Sequence, residues 1–501
     1  MAIKIILMLV FFAVTIFVGV FSRKRAADVS NFVLGGRNVG MWLTAFAFGT
    51  SYFSAVIFVG YAGQFGWKYG TSATWIGLGN AFIGSMFAWL VLGRRTRVMT
   101  QHLGSSTMPD FFEKRYGSSK LKIAASAIIF IFLIPYTASL YNGLSRIFSM
   151  AFGIDYMYCV IAMAVITGIY VVVGGYMATA INDFIQGIIM LVGIVIIIVA
   201  VVNGQGGFSE AIRKLGEVEA TGVPKGSLTS LFGPDPLNLI GVVVLTSLGT
   251  WGLPQMVHKF YAIKDERAVK SGTVVSTVFA VIIAGGCYFL GGFGRLFDSP
   301  EIYNASGAPI FDAIIPQMLS SLPDVLIGIV MMLVFSASMS TLSALVLTSS
   351  STLTLDFIKG AIKPDMSEKK QLSTIRILIV FFVIISAALA LVQYKSAVTF
   401  IAQLMGISWG ALAGAFIAPF LYGLYWKRTT VQSVWASFIC GVGITVANMF
   451  IKFIASPINA GVVAMIAGLI VVPIVSAITA KPDRAKVDEI FSCYKPNAPV
   501  R

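Results

Sequence analysis

The sequence predicts an all-α polytopic membrane protein, and three observations predict it. Of 501 residues, 57% are hydrophobic and only 11% are charged, less than half the roughly 25% of a soluble domain. So few charges cannot cover a water-soluble body of this length, and lipid must do the covering. The apolar residues also run in blocks long enough to cross a bilayer core, which takes about 20 residues per helix. Residues 5–21, 123–136, 158–173, 185–202 and 375–392 are the clearest. Lastly, Lys and Arg alternate between connections that hold many and connections that hold few.

The blocks predict about thirteen spans. The first, 2–22, has only Lys4 before its apolar stretch and no small-residue cleavage site. Arg23, Lys24 and Arg25 follow it, so it reads as a retained helix and not a signal peptide. Spans 41–63 and 70–93 come next, then a basic loop, 94–122. Span 119–152 contains Pro135 and is expected to be long and kinked. Spans 155–174 and 178–203 are joined by a short glycine-containing connection. Residues 204–234 and 295–321, rich in Gly, Pro, Ser and acidic residues, predict short surface helices and loops. Between them lie spans 235–256 and 271–294, joined by the basic loop 257–270. The long span 322–355, the basic loop 356–376 and spans 374–393, 397–425, 431–453 and 459–480 follow, and 481–501 form a tail.

All but nine of the 36 Lys and Arg fall in connections after odd-numbered spans or in the tail. That is the bias of the positive-inside rule. It predicts an N-terminus outside, a C-terminus inside and an odd number of spans. The net charge of +15 is therefore topology and implies no nucleic-acid partner. Four scattered cysteines and two histidines, with no CxxC pair, argue against a disulfide framework or a Cys/His metal site. Nothing suggests an organic cofactor or an obligate protein partner. No GxxxxGK[ST] loop occurs, and no segment could form a separate soluble domain, which argues against an ATPase, an enzyme or a sensor.

Two polar stretches stand out within the spans. In the second span, Gly49 adjoins Thr50, Ser51, Tyr52 and Ser54. A run of small polar residues beside a glycine suits an unwound helix, whose freed carbonyls can face a cation. In the long span 322–355, Ser336, Ser340 and Ser343 share one helical face at i, i+4 and i+7, with Thr341 adjacent. Hydroxyls of Ser340 and Thr341 plus carbonyls of a broken helix would make a neutral, oxygen-only cage for a weakly held monovalent cation. Magnesium or calcium would call for carboxylates. The alternative is a serine-rich packing face between helices.

Three further segments, FVLGGR at 32–37, GGYMATAINDFIQG at 174–187 and ASMSTLS at 337–343, resemble the sodium/solute symporter family. That family includes the bacterial sodium/proline and sodium/pantothenate symporters, and the likeness runs from Phe32 to about Trp426. It implies a LeuT-type fold of two inverted five-helix repeats with broken first helices, here 41–203 and 235–425. An extra helix at 2–22, two C-terminal helices at 431–480 and the tail 481–501 would flank them in a single transmembrane domain. It implies Na+ as coupling ion, bound by main-chain oxygens of Thr50, Phe53 and Ala337 and side-chain oxygens of Ser340 and Thr341. Asp183, with Gln186, matches a family aspartate on the inner sodium route.

The solute pocket implied by the same resemblance comprises Tyr52, Val56, Tyr136, Asn142, Thr246, Thr250 and Trp251. Tyr52, Val56, Thr246 and Thr250 stand where the family's proline transporters carry aspartate, tryptophan, tryptophan and tyrosine. Tyr136 alone of that set is kept. The segment 50–54 and Gly252–Leu253–Pro254 look more like the pantothenate branch. The expected protein is a sodium-coupled importer of a small organic, carboxylate-bearing solute in a bacterial inner membrane, working within the lipid bilayer. A proton-coupled symporter using Asp183 is the alternative; a channel is a more distant one.

Overall fold

The computed structural model describes residues 2–396 and 401–495. Helices build it almost entirely, and the β-structure among the described residues is isolated bridges such as Val39 to Ile263. Among the described residues, ten helices are long and apolar enough to cross a membrane, or eleven when Pro236–Gly252 and Pro254–Ala262, bent by 46° at their junction, count as one span. Apolar side chains such as Leu9, Phe17, Val192, Ile384 and Ile439 stand exposed on the periphery, where lipid replaces water as their solvent.

The difference from thirteen lies in how helices join. Predicted spans 155–174 and 178–203 form one run, Tyr156–Gly204, of 49 residues. Straight, it would extend about 74 Å, more than twice the roughly 30 Å core of a bilayer. Gly175 breaks it, with φ 55° and ψ −152°. A Cβ there would sit 2.8 Å from the Phe32 ring, so the backbone angle and the contact both demand glycine. Gly70 likewise interrupts the run between Val56 and His102, at φ 61°. A Cβ at Gly70 would meet Leu228 O at 2.1 Å.

Other predicted elements hold with shifted ends. Ser119–Phe152 is one helix with Pro135 inside it. Short helices occupy Phe208–Glu217 and Phe311–Ser320, as the two loop-rich segments predict. The span expected at 322–355 continues to Ile362 through a π-helical stretch. The loop expected at 257–270 is helical as far as Ala262, and Lys259, counted among its basic residues, is 2% exposed inside the protein. The start of the span at 397–425, residues 397–400, and tail residues 496–501 lie outside the described residues.

Two helices form the centre. In Asp324–Ile362 and Gln403–Tyr425, 78% and 89% of the apolar window is buried, against 28% in the first helix. Near the chain's end, helix Arg484–Phe491 is held by Lys427 Nζ to Asp488 Oδ1 at 2.6 Å and by the Tyr494 hydroxyl donating to Arg95 O.

Candidate functional site

Helix Met41–Thr50 stops in mid-protein. The Tyr52 and Phe53 N–H groups both turn back to Gly49 O at 3.2 Å, which tightens the last turn and ends the helical ladder. The chain becomes helical again at Ala55 and continues to Tyr69. At the restart, the Val56 N–H donates to the Ser54 hydroxyl, and the Ala55 N–H donates to the Ser338 hydroxyl, both at 3.3 Å. A break in a buried helix frees carbonyls that need partners.

Those partners come from nearly 300 residues away. Thr50 O lies 3.1 Å from the hydroxyls of both Ser340 and Thr341. Each hydroxyl has one proton to share between Thr50 O and carbonyls of its own helix, among them Ser336 O at 2.9 Å from Ser340 Oγ. Phe53 O lies 3.4 Å from Thr341 Oγ1. Ala337 O takes the same two hydroxyls at 3.1 and 3.0 Å. Five oxygens therefore converge, three main-chain and two side-chain, and all five residues are buried. They are the five expected as a cation cage. A hydroxyl can rotate its proton away and present lone pairs, so the oxygens that now share hydrogen bonds can turn to a small cation. Ser336, Ser343 and Ser349 to Ser351 are buried as well, as a serine-rich packing face would have them. Ser340 and Thr341 differ from them in reaching across to the broken helix.

Asp183 stands two turns beyond the Gly175 reversal and is fully buried. Its carboxylate lies 3.6 Å from Lys259 Nζ, longer than a hydrogen bond. Neither of its oxygens accepts a hydrogen bond among the described residues, and the Gln186 and Gln255 amides make none either.

The expected pocket residues divide into two groups. The Tyr52 hydroxyl donates to Thr246 O at 2.9 Å, and its ring lies 5.5 Å from Trp409. Tyr136 packs edge-on against the same indole at 6.0 Å. Val56 is wholly buried. The others turn elsewhere. Thr250 Oγ1 bonds Gly84 O, and Trp251 Nε1 bonds Ile83 O, both at 2.9 Å. Asn142 accepts from Tyr156 and donates to Gln393. A cavity of only about 10 Å³, lined in part by Phe53, Ser54 and Ala337, adjoins the cage; that is room for about one water. The large cavity, about 1780 Å³, opens among Arg94, Lys264 and Lys486 and shares no residue with the cage.

A bundle of long apolar helices, broken at its centre where hydroxyls and freed carbonyls converge, is the build of a membrane transporter. The chain belongs to the sodium:solute symporter family, whose model matches residues 32–441. The osmoregulated proline transporter OpuE of Bacillus subtilis is 28% identical over 97% of both chains. Sodium/proline symporter 2 of Staphylococcus saprophyticus is 30% identical over 90% of this chain and 87% of its own. Among solved structures, a Na+-coupled sialic acid symporter in a substrate-bound outward-open state has a TM-score of 0.74 at 16% identity, covering 96% of this chain and 99% of that one. Mhp1, a nucleobase-cation-symport-1 family transporter in a closed conformation, has a TM-score of 0.50 at 13% identity, covering 93% and 99%. The protein is thus a multi-pass plasma-membrane transporter of the sodium-coupled solute symport class, and not an enzyme.

Sequence reasoning missed Trp409, Ser338, Lys259 and Gln255. Trp409 sits between Gly406 and Gly410 in mid-span, a tryptophan remote from any interfacial belt. Lys259 is followed by Phe260, Tyr261 and Ala262, an apolar run that a surface loop does not need.

Proposed function

We propose that this protein imports a small, carboxylate-bearing organic solute by alternating access, driven by sodium bound at Thr50, Phe53, Ala337, Ser340 and Thr341. The observation that carries this reading is the convergence of those five oxygens across the break of one helix and the face of another. Sodium there ties the first broken helix to Asp324–Ile362 and shapes the pocket beside Tyr52, Val56, Tyr136 and Thr246. If sodium raises solute affinity, solute raises sodium affinity equally. One charge moving through 100 mV gains about 2.3 kcal/mol, enough for roughly fifty-fold accumulation.

The positive-inside bias supports an N-terminus outside and a C-terminus inside. Thirteen spans are reached when the chain is divided at Gly70 and Gly175 and each broken helix is one span. Repeats at 41–203 and 235–425 are supported by a broken helix at the head of each. Under this orientation Asp183 and Gln186 lie on the cytoplasmic route from the cage. The carboxylate rests on the helix ends: the half-helices starting at Ala55 and Pro254 direct positive N-termini toward the breaks, a setting that favours an anionic group. The relatives' proline is not carried over, because Tyr52, Val56, Thr246 and Thr250 replace the residues of the proline transporters. Proton coupling through Asp183 is a weaker second reading; burial of that carboxylate favours it, but Lys259 already supplies the compensating charge.

The test begins with thermal unfolding of purified protein in sodium against potassium or choline, alongside Thr341→Ala. A ligand that binds only the folded state stabilises it by about 2.7 kcal/mol at a hundred times its Kd. Stabilisation should be specific to sodium and absent in Thr341→Ala. Proteoliposomes under an inward sodium gradient should then accumulate one member of a pool of carboxylates and amino acids. Uptake driven equally well by a proton gradient without sodium would overturn the reading.

A further inference from the structure

The polar groups around Asp183 are not used by the cage, and they form a pattern of their own. Asp183 and Gln186 are one turn apart on one helix, and Gln255 and Lys259 are one turn apart on another, so each pair shares a face. All four residues are buried, with exposures of 2% or less. Lys259 meets Asp183 at 3.6 Å and the face of the Tyr176 ring at 5.2 Å. The two carboxylate oxygens, all four amide atoms of Gln186 and Gln255 and the Tyr176 hydroxyl lack hydrogen-bond partners among the described residues. Buried polar groups are normally paired. So many spare donors and acceptors around one loose ion pair mark a place where a charge changes partners.

The cluster also connects to the cage. The Ser343 hydroxyl donates to Ser340 O at 2.9 Å, and the Tyr170 hydroxyl donates to Met339 O at 2.8 Å. Tyr170 and Asp183 belong to the same run, Tyr156–Gly204, so the segment that carries Asp183 is tied at Met339 to the helix that carries Ser340 and Thr341.

We propose that Lys259 is a tethered cation for Asp183: its ammonium neutralises the carboxylate while sodium is absent, and sodium leaving the cage has to displace it. Asp183 is neutralised by Lys259 or by sodium, one at a time. While both cations are present the cluster carries one net positive charge, which drives one of them away from the carboxylate. During the exchange the ammonium moves onto the amide oxygens of Gln186 and Gln255 and the Tyr176 ring. When sodium departs, the ammonium returns behind it and competes with sodium re-entering from the same side. This rests on sodium using the cage.

The test measures the sodium concentration at half-maximal thermal stabilisation, at constant ionic strength with choline, for the full-length protein. Lys259→Met leaves a buried carboxylate without its counter-ion, which sodium can then neutralise. Its midpoint should fall at least tenfold, with a response steepening from one sodium toward two. Asp183→Asn leaves the ammonium unpaired beside the route and should raise the midpoint at least tenfold. The double variant Asp183→Asn/Lys259→Met should return to the wild-type midpoint. A merely structural pair would lower melting temperatures and leave the midpoints in place, and that result overturns the proposal. If Lys259→Met does not fold, an Asp183→Asn midpoint equal to that of the double variant overturns it as well. A wild-type protein indifferent to sodium would instead sink the sodium reading itself.

Discussion

The two broken helices look alike in outline and differ in what breaks them. The second has a chemical cause written into it. Pro254 carries no N–H and cannot continue the ladder from Gly249–Gly252, and the loose ends are met close by. Thr250 Oγ1 reaches Ser247 O at 2.8 Å and Gly84 O at 2.9 Å, and the Leu253 N–H reaches Thr250 O. The first break has no proline. Its freed carbonyls find their partners on a helix nearly 300 residues distant. A break held open by its own sequence persists whatever is bound. One held open by distant hydroxyls depends on them, and on a cation that can take their place. On the proposed reading, the first break is therefore the one that responds to an ion.

The largest effect expected from that contrast is at the distant partner. Ser340→Ala combined with Thr341→Ala removes both hydroxyls from Thr50 O. Each buried acceptor left unsatisfied costs about 1–3 kcal/mol, and two of the cage's five oxygens are gone. Sodium-dependent stabilisation and sodium-driven uptake should both vanish. A double variant that keeps the wild-type sodium midpoint would show that the break is ligand-independent after all, and the contrast would collapse.

The same contrast explains how much was legible beforehand. Span positions follow from apolar block length, which the bilayer sets, so most survive with ends moved by a few residues. The meeting of the two segments was legible because each carries a recognisable polar run, at 50–54 and 336–343. The division at Gly175 was legible as a short glycine-containing connection between two spans; what the sequence did not show is that the turn takes a single residue at positive φ. Lys259 was misplaced for an electrostatic reason. A lysine near a span's end reads as a loop charge under the positive-inside rule, and only the fold shows Asp183 beside it. Trp409 reaches Tyr52 and Tyr136 from a separate span, a convergence no local pattern encodes.

An intermediate effect is expected at Gly49, which reads as a helix breaker in the sequence. In the structure a Cβ there would lie 2.4 Å from the Phe279 ring, so the glycine serves close packing as well as the turn. Gly49→Ala should destabilise by about 1–3 kcal/mol through overpacking. The loss should be equal in sodium and choline, since no cage oxygen is touched. A loss confined to sodium would make Gly49 part of the ion-dependent break.

The smallest effect belongs to the second break. Thr250→Val keeps the side-chain volume and removes the hydroxyl that bonds Gly84 O and Ser247 O. Those carbonyls belong to helical segments with ladder bonds of their own, so the loss should be about 1 kcal/mol. Pro254 still ends the ladder, and the sodium midpoint should not move. Measured by the same melting series, a midpoint shift in Thr250→Val would mean that the two breaks are coupled, with the proline-encoded one moving when the ion-dependent one closes. Without a shift, the second break is the fixed frame against which the first one works.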